Sequence, residues 1–301
     1  MNLPFAIRNR PRQHYLLVVF ILLASLLCMA LAYQLQAFVW RAWTMPQVRD
    51  ATYGGLVAAG ATALGVLPIL FFRQLPARLT DTLYGFGAGV MLAASAFSLV
   101  IPGLAAAVAD GYSTLQAAMV IGLGITIGAA MLLVIEHVLP HEHFIKGMER
   151  HAETRVRRTW LFVFAIILHN IPEGLAIGVG FAGGDVMRGG ALATGIAIQD
   201  VPEGFVVAMA LAVVGYSRTR AIMIGMASGL VEPAAAFLGA AVIAHASALL
   251  PWGLGFAAGA MLFVVSHEII PESHRKGHEV FATSGLILGF VLMMVLDTTL
   301  G

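Results

Sequence analysis

Apolar residues along this chain come in long unbroken blocks. They follow neither the period-two alternation of a half-buried strand nor the narrow stripe of a surface helix. An α-helix rises about 1.5 Å per residue, so about 20 apolar residues cross the roughly 30 Å hydrocarbon core of a bilayer. Nine blocks reach that length, at roughly 15–40, 53–72, 82–108, 115–139, 159–183, 189–214, 221–244, 252–270 and 281–300. The pattern predicts nine transmembrane helices in an all-α integral membrane protein, with the lipid bilayer as its solvent.

Every Lys and Arg falls between the blocks. With the N-terminus in the cytoplasm and strict alternation, the cytoplasmic side holds fourteen of them, from Arg8 to Lys276. The opposite side holds only Arg41, Arg49 and Arg188. That bias follows the positive-inside rule. It predicts a cytoplasmic N-terminus, an outside C-terminus and a cytoplasmic loop 140–158, in a bacterial inner (plasma) membrane. The first block also has the look of a signal peptide, with Ala30-Leu31-Ala32 resembling a cleavage site. Its apolar run is long for that role, so a retained helix is expected. Residues 1–50 are therefore read as a basic N-terminal segment plus an extra helix. Residues 53–301 are read as an eight-helix core with a histidine-bearing loop at 140–158.

Composition agrees. Apolar residues make up 59% and charged residues 11%, against roughly 25% charged in a soluble domain. A net charge of +1 gives no reason to expect a nucleic-acid partner. Cys28 is the only cysteine, which excludes an intrachain disulfide and a thiolate metal cluster.

Two internal similarities suggest an inverted repeat. Gly55-Leu56-Val57 with Ala61, Leu64 and Gly65 matches Gly229-Leu230-Val231 with Ala235, Leu238 and Gly239. Ala88-Gly89-Val90-Met91-Leu92 matches Ala258-Gly259-Ala260-Met261-Leu262. Five spans separate each matched pair, and an odd separation turns the second copy upside down. Such repeats are common in secondary transporters, whose substrate site lies near the midplane between them. A second duplication joins consecutive helices: His169-Asn170-Ile171-Pro172-Glu173-Gly174 recurs as Gln199-Asp200-Val201-Pro202-Glu203-Gly204.

The chemistry lies in mid-span. Glu173, Asp200, Glu203 and Glu232 fall near the middle of apolar blocks, and no Lys or Arg shares their depth. Each acid there costs about 2.5–3.5 kcal/mol on insertion scales, on the order of 10 kcal/mol for the four. Protons or a bound cation must neutralise them. At 1.5 Å per residue, Met91, His169, Asp200 and Glu232 lie roughly 14–16 Å into their spans, at one level. His169 and Glu173 share a helix face at i, i+4, and Asn170–Glu173 and Asp200–Glu203 are i, i+3 pairs. Pro172, Pro202 and Pro233 each stand beside an acid and are expected to free the carbonyls of Leu168, Ile198 and Gly229 to line a cavity. Imidazole with several carboxylates, and a thioether from Met91, suits a borderline divalent metal. The donors exceed one tetrahedral shell.

These motifs resemble the ZIP (Zrt/Irt-like) metal transporters. The carriers of the resemblance are His169-Asn170-x-Pro172-Glu173-Gly174, Asp200-x-Pro202-Glu203-Gly204, Glu232-Pro233 and His267-Glu268-Ile269-Ile270-Pro271-Glu272. The pattern is most similar to the bacterial GufA-like branch and covers roughly residues 53–301. It implies eight core helices in a 3+2+3 inverted-repeat bundle and uptake of Zn²⁺, with Cd²⁺, Fe²⁺ and Mn²⁺ as further candidate ions. It implies no organic cofactor and no enzymatic activity. It also implies a two-metal centre, with one ion held by Met91, His169, Glu173 and Glu203. Asn170, Glu173, Asp200, Glu203 and Glu232 would hold the other. Gln199, the last candidate ligand, stands where many relatives carry His or Glu, so metal selectivity does not transfer. A homodimer is the candidate assembly.

Loop 140–158 offers His141, Glu142, His143 and His151, with Glu136 and His137 before it and His267, Glu268, His274 and His278 elsewhere. These form a candidate metal-exit station or a plain charged loop. The rival reading of the midplane acids is an intramembrane metal-dependent hydrolase, which lacks its H-E-x-x-H motif here.

Overall fold

The structure is a computed structural model that describes residues 10–72, 76–138, 152–213 and 215–300. Every regular element among the described residues is helical. Nine helical columns follow one another: α1 (Arg10–Trp43), α2 (Pro46–Leu70), α3 (Ala77–Ala109), α4 (Thr114–Val138), α5 (Ala152–Ala182), α6 (Val186–Val213), α7 (Arg218–His245), α8 (Ser247–His274) and α9 (Glu279–Leu300). Among the described residues, all but α5 contain a stretch long and apolar enough to cross a membrane. The 31 residues of α5 carry the first proline motif. Residues 139–151, the greater part of the histidine-bearing loop, lie outside the described residues.

The chain divides into two compact units, Met1–Met45 and Pro46–Gly301. The first contains α1, whose Leu22, Leu23, Leu26 and Leu27 are all exposed. A helix apolar on every side suits a lipid surrounding.

The second unit has inverted-repeat symmetry. Exchange α2 with α7, α3 with α8, α4 with α9 and α5 with α6. The packing of α3 on α9 then becomes that of α8 on α4. The packing of α2 on α6 becomes that of α7 on α5, and the α2–α7 pair maps onto itself. These are the main helix contacts of the unit. The equivalence extends to irregularities. α3 widens into a π-helix at Ala94–Val100, and α8 does so at Val265–Ile269. Single π turns are rare and concentrate at functional sites.

Small residues let backbones touch. A Cβ at Gly85 or Gly89 of α3 would collide with the carbonyls of Ala282 or Leu286 on α9, and one at Gly285 or Gly289 with those of Thr82 or Phe86. α4 and α8 repeat the arrangement through Gly128 and Gly259. Without a hydrophobic drive between helices in lipid, such close packing is a main source of association.

One expectation fails. Pro233 does not leave the Gly229 carbonyl free. α7 breaks at Gly229-Leu230, and the Glu232 N–H donates to that carbonyl at 3.1 Å. Glu232 thereby sits in the first turn of a new helical segment, Val231–His245. Pro172 and Pro202 lie inside helices that continue through them.

Candidate metal centre

Each half of the centre is one proline motif. α5 supplies His169, Asn170 and Glu173, and α6 supplies Gln199, Asp200 and Glu203. The glycine that ends each motif sets the distance to the next helix. A Cβ on Gly174 would lie 2.5 Å from the carbonyl oxygen of Glu232. One on Gly204 would collide with the carbonyl of Thr62 on α2. Glycine beside the acid therefore brings a neighbouring backbone against it, and in α7 that backbone carries Glu232.

Asn170, Glu173, Asp200 and Glu232 are at most 1% exposed. One oxygen each from Glu173, Asp200 and Glu203 come within 4.8 Å of one another. Oxygens bound at about 2.0–2.2 Å around one tetrahedral zinc lie about 3.3–3.6 Å apart. Side-chain shifts of about an ångström would bring the three oxygens onto one ion. Hydrogen bonds tie the remaining candidates in. Gln199 Nε2 donates to Glu173 Oε1 at 2.5 Å, and Asn170 Nδ2 donates to Glu232 Oε1 at 3.0 Å. Glu232 also faces Asp200.

Charge in this cluster is one-sided. None of the four carboxylates forms an ion pair with Lys or Arg among the described residues. Glu173 Oε2, both oxygens of Asp200, Glu203 Oε1 and Glu232 Oε2 are buried and accept no hydrogen bond from the protein. Buried polar atoms nearly always have a partner, and five unmatched carboxylate oxygens in one place are donors suited to a hard or borderline cation.

The remaining candidates are less closely joined. His169 Nε2 stands 2.9 Å from Glu268 Oε2, on the π segment of α8. Its imidazole thus links the midplane acids to a second polar group. Met91 is 2% exposed on α3, which packs against α6. Its carbonyl accepts from Ser95 Oγ at 2.8 Å.

The histidines outside the midplane separate into two sets. His267 Nε2 meets Glu136 Oε1 at 3.0 Å, and Glu136, His169 and Glu268 line one small cleft with Leu132, Ile135 and Val264. His278 and His274 have other partners. His278 Nδ1 meets Asp81 Oδ2 at 2.8 Å, and His274 meets the carbonyl of Ile270 at 3.0 Å and Thr283 Oγ1 at 3.2 Å. His245 Nδ1 bonds the Ala241 carbonyl at 2.8 Å.

Two site neighbours escape a reading of the sequence. Glu268 is visible in its motif, but nothing in the spacing aims it at His169. Thr62, which reaches Glu232, is a lone hydroxyl in an apolar span with no motif around it.

The profile of the family described as ZIP Zinc transporter matches residues 145–297. "Zinc transporter ZIPB" of Bordetella bronchiseptica is 51% identical over 251 residues, which is 83% of this chain and 81% of that protein. "Zinc transporter GufA" of Myxococcus xanthus is 47% identical over 246 residues, 82% of this chain and 97% of that protein. "Zinc transporter ZIP11" of Homo sapiens is 31% identical over 335 residues, covering 84% and 98%. With two proline motifs meeting in a buried acid cluster inside an inverted-repeat helical bundle, this membrane protein belongs to the ZIP zinc transporter family, a family of transporters rather than enzymes.

Proposed function

We propose that this protein moves zinc, and related divalent ions such as Cd²⁺, Fe²⁺ and Mn²⁺, across a bacterial inner membrane toward the cytoplasm. The observation that carries this reading is the set of buried, unmatched carboxylate oxygens of Glu173, Asp200, Glu203 and Glu232, with no Lys or Arg paired to them among the described residues. The same set supports a site for two ions. Glu173 and Glu203 occupy matching positions on the two proline helices and serve both ions. Met91 and His169 complete one shell. Asn170, Asp200 and Glu232 complete the other. Gln199 is already engaged through its amide nitrogen with Glu173, so its oxygen is the atom left to offer a metal. The family resemblance supports the inward direction, and the positive-inside bias supports a cytoplasmic N-terminus and an outside C-terminus.

The exit runs from His169 to Glu268, and on to Glu136 in the last turn of α4 and His267 on the π segment of α8. Imidazoles and carboxylates a few ångströms apart let an ion exchange ligands stepwise instead of losing its whole shell at once. His274 and His278 are outside this route, because each is engaged elsewhere, His274 with Ile270 and Thr283 and His278 with Asp81.

Uptake by the purified full chain in liposomes tests the reading. Zinc and cadmium should enter vesicles containing the protein and not vesicles containing Glu173→Ala at equal incorporation. Equal uptake by both would overturn the assignment of the midplane acids as the transport site.

A further inference from the structure

Thr62 occupies an unusual crossing. It is 1% exposed, in the middle of α2, where that helix touches two ligand-bearing helices. Its carbonyl lies against Gly204, directly after Glu203 on α6. Its side chain lies against Gly229, three residues before Glu232 on α7, where an added Cβ would be 3.0 Å from Thr62 Cβ and 3.1 Å from Oγ1. Glycine at both places lets Thr62 reach the acid behind them.

The hydroxyl has one proton and two acceptors. Oγ1 is 3.3 Å from the carbonyl of Ala58, one turn earlier, and 3.4 Å from Glu232 Oε1. The backbone bond is the common local habit of a helical threonine. The contact with Glu232 is long-range and is reinforced. Asn170 Nδ2 donates to the same oxygen at 3.0 Å, and holds the Ser228 carbonyl at 3.3 Å. Both donors therefore converge on Oε1. Oε2 is buried and receives no hydrogen bond from the protein.

We propose that Thr62 is a positioning residue for Glu232: its hydroxyl, with the Asn170 amide, holds Oε1 and so turns Oε2 toward the metal. This rests on the reading of Glu232 as a ligand to one of two ions. The repeat gives the device a purpose. The 174-residue offset that pairs Gly55 with Gly229 pairs Glu232 with Ala58. The acid therefore has no counterpart in the other half, and the α2 residue four positions after Ala58 orients it.

Groups that orient metal ligands typically matter by 10–100-fold in metal affinity. The test is equilibrium binding of zinc alone, and of cadmium alone, to the purified full chain. Thr62→Val keeps the shape and removes the hydroxyl, and Thr62→Ser keeps the hydroxyl. Glu232→Ala is the reference, and thermal melting reports folding. Thr62→Ala serves as the hydroxyl-free variant if Thr62→Val does not fold.

The ion that Glu232→Ala weakens should lose affinity on the order of tenfold in the hydroxyl-free variant. Thr62→Ser should bind within about twofold of the parent, and the other ion should be unaffected in both. Unchanged binding without the hydroxyl overturns the proposal, as does equal loss in Thr62→Ser. If Glu232→Ala still weakens binding in that case, the two-ion reading stands and only the role of Thr62 falls. If Glu232→Ala also binds like the parent, Glu232 is not a ligand and both fall together.

Discussion

The α5–α6 pair and the α3–α9 pair solve the problem of packing helices in lipid in opposite ways. α3 and α9 meet through Gly85, Gly89, Gly285 and Gly289, and their backbones are in contact over two turns. Among the described residues, the polar contacts across that pair lie near its ends: Asp81 with His278, just before α9, and Ser98 with Asp297, whose atoms are 2.6 Å apart. α5 and α6 place six polar side chains and two prolines at their centre. The first pair has no buried polar group at its middle to satisfy, so dispersion and close contact suffice. The second is stable only if something neutralises its acids. The framework and most of the site are thus carried by different helices, with Met91 on α3 as the exception, and the inverted repeat supplies each twice.

The largest effect that would break this contrast comes from the shared acids. Glu173→Ala and Glu203→Ala each remove a donor from both proposed ions, and transport should fall to background. His169→Ala removes the imidazole at that depth and should be severe, with the ratio of cadmium to zinc uptake altered. Glu232→Ala touches one proposed ion and should leave measurable transport. Initial uptake rates in vesicles, normalised to protein in the membrane, check all four. Near-normal uptake by Glu173→Ala would erase the distinction between site and framework.

Acidity gives the next effect. Carboxylates and imidazole bind metal only after losing their protons. The four midplane acids have no Lys or Arg partner among the described residues to hold them charged in the metal's place. Binding is therefore present at higher pH and lost as pH falls, with about a tenfold loss per pH unit for each net proton displaced. Zinc affinity measured from neutral to acidic pH should slope accordingly. A flat profile would show that no proton competes at these acids.

A smaller and different effect is expected in the framework. Gly89→Val or Gly289→Val forces the α3 and α9 backbones apart. Overpacking of this kind typically costs about 1–3 kcal/mol. The melting temperature in detergent should drop. Zinc affinity of the protein that remains folded should change much less than in Glu232→Ala. An equal loss of affinity would mean that the α3–α9 contact also sets the ligand geometry.

Much of this was legible in the residues. The spans follow from block length alone, because a bilayer fixes the length of a helix. The candidate metal centre follows from its cost: acids in mid-span without bases imply protons or a bound cation. The repeat was visible in short Gly/Ala matches because close helix crossings restrict residue size. Other features could not be read. The π segments at Ala94–Val100 and Val265–Ile269 arise from tertiary packing and carry no local signature. The break at Gly229-Leu230 passes for an ordinary small-residue stretch, and so Pro233 was expected to free a carbonyl that Glu232 in fact takes. Rotamers decide that His169 meets Glu268, and spacing along a chain does not specify rotamers.

The finest test compares two kinds of buried acid. Asp81 is as buried as Asp200, at 0% against 1% exposure. Asp81 nevertheless has partners on the α8–α9 connection: His278 Nδ1 at 2.8 Å and Lys276 Nζ at 3.7 Å. An acid with an imidazole and a lysine beside it has no need of a metal, and the lysine repels one. His278→Ala should therefore act on the framework alone. Leaving a buried acceptor short of its partner costs about 1–3 kcal/mol, and Lys276 keeps the effect toward the lower end by remaining nearby. The melting temperature should fall slightly, and zinc affinity should match the parent within error. The same substitution logic applied to Asp200→Ala should give the reverse, with weakened metal binding and no loss of stability in the metal-free protein, because removing an unpaired buried charge relieves the fold. A loss of zinc affinity in His278→Ala would move Asp81 and His278 from the framework into the metal pathway.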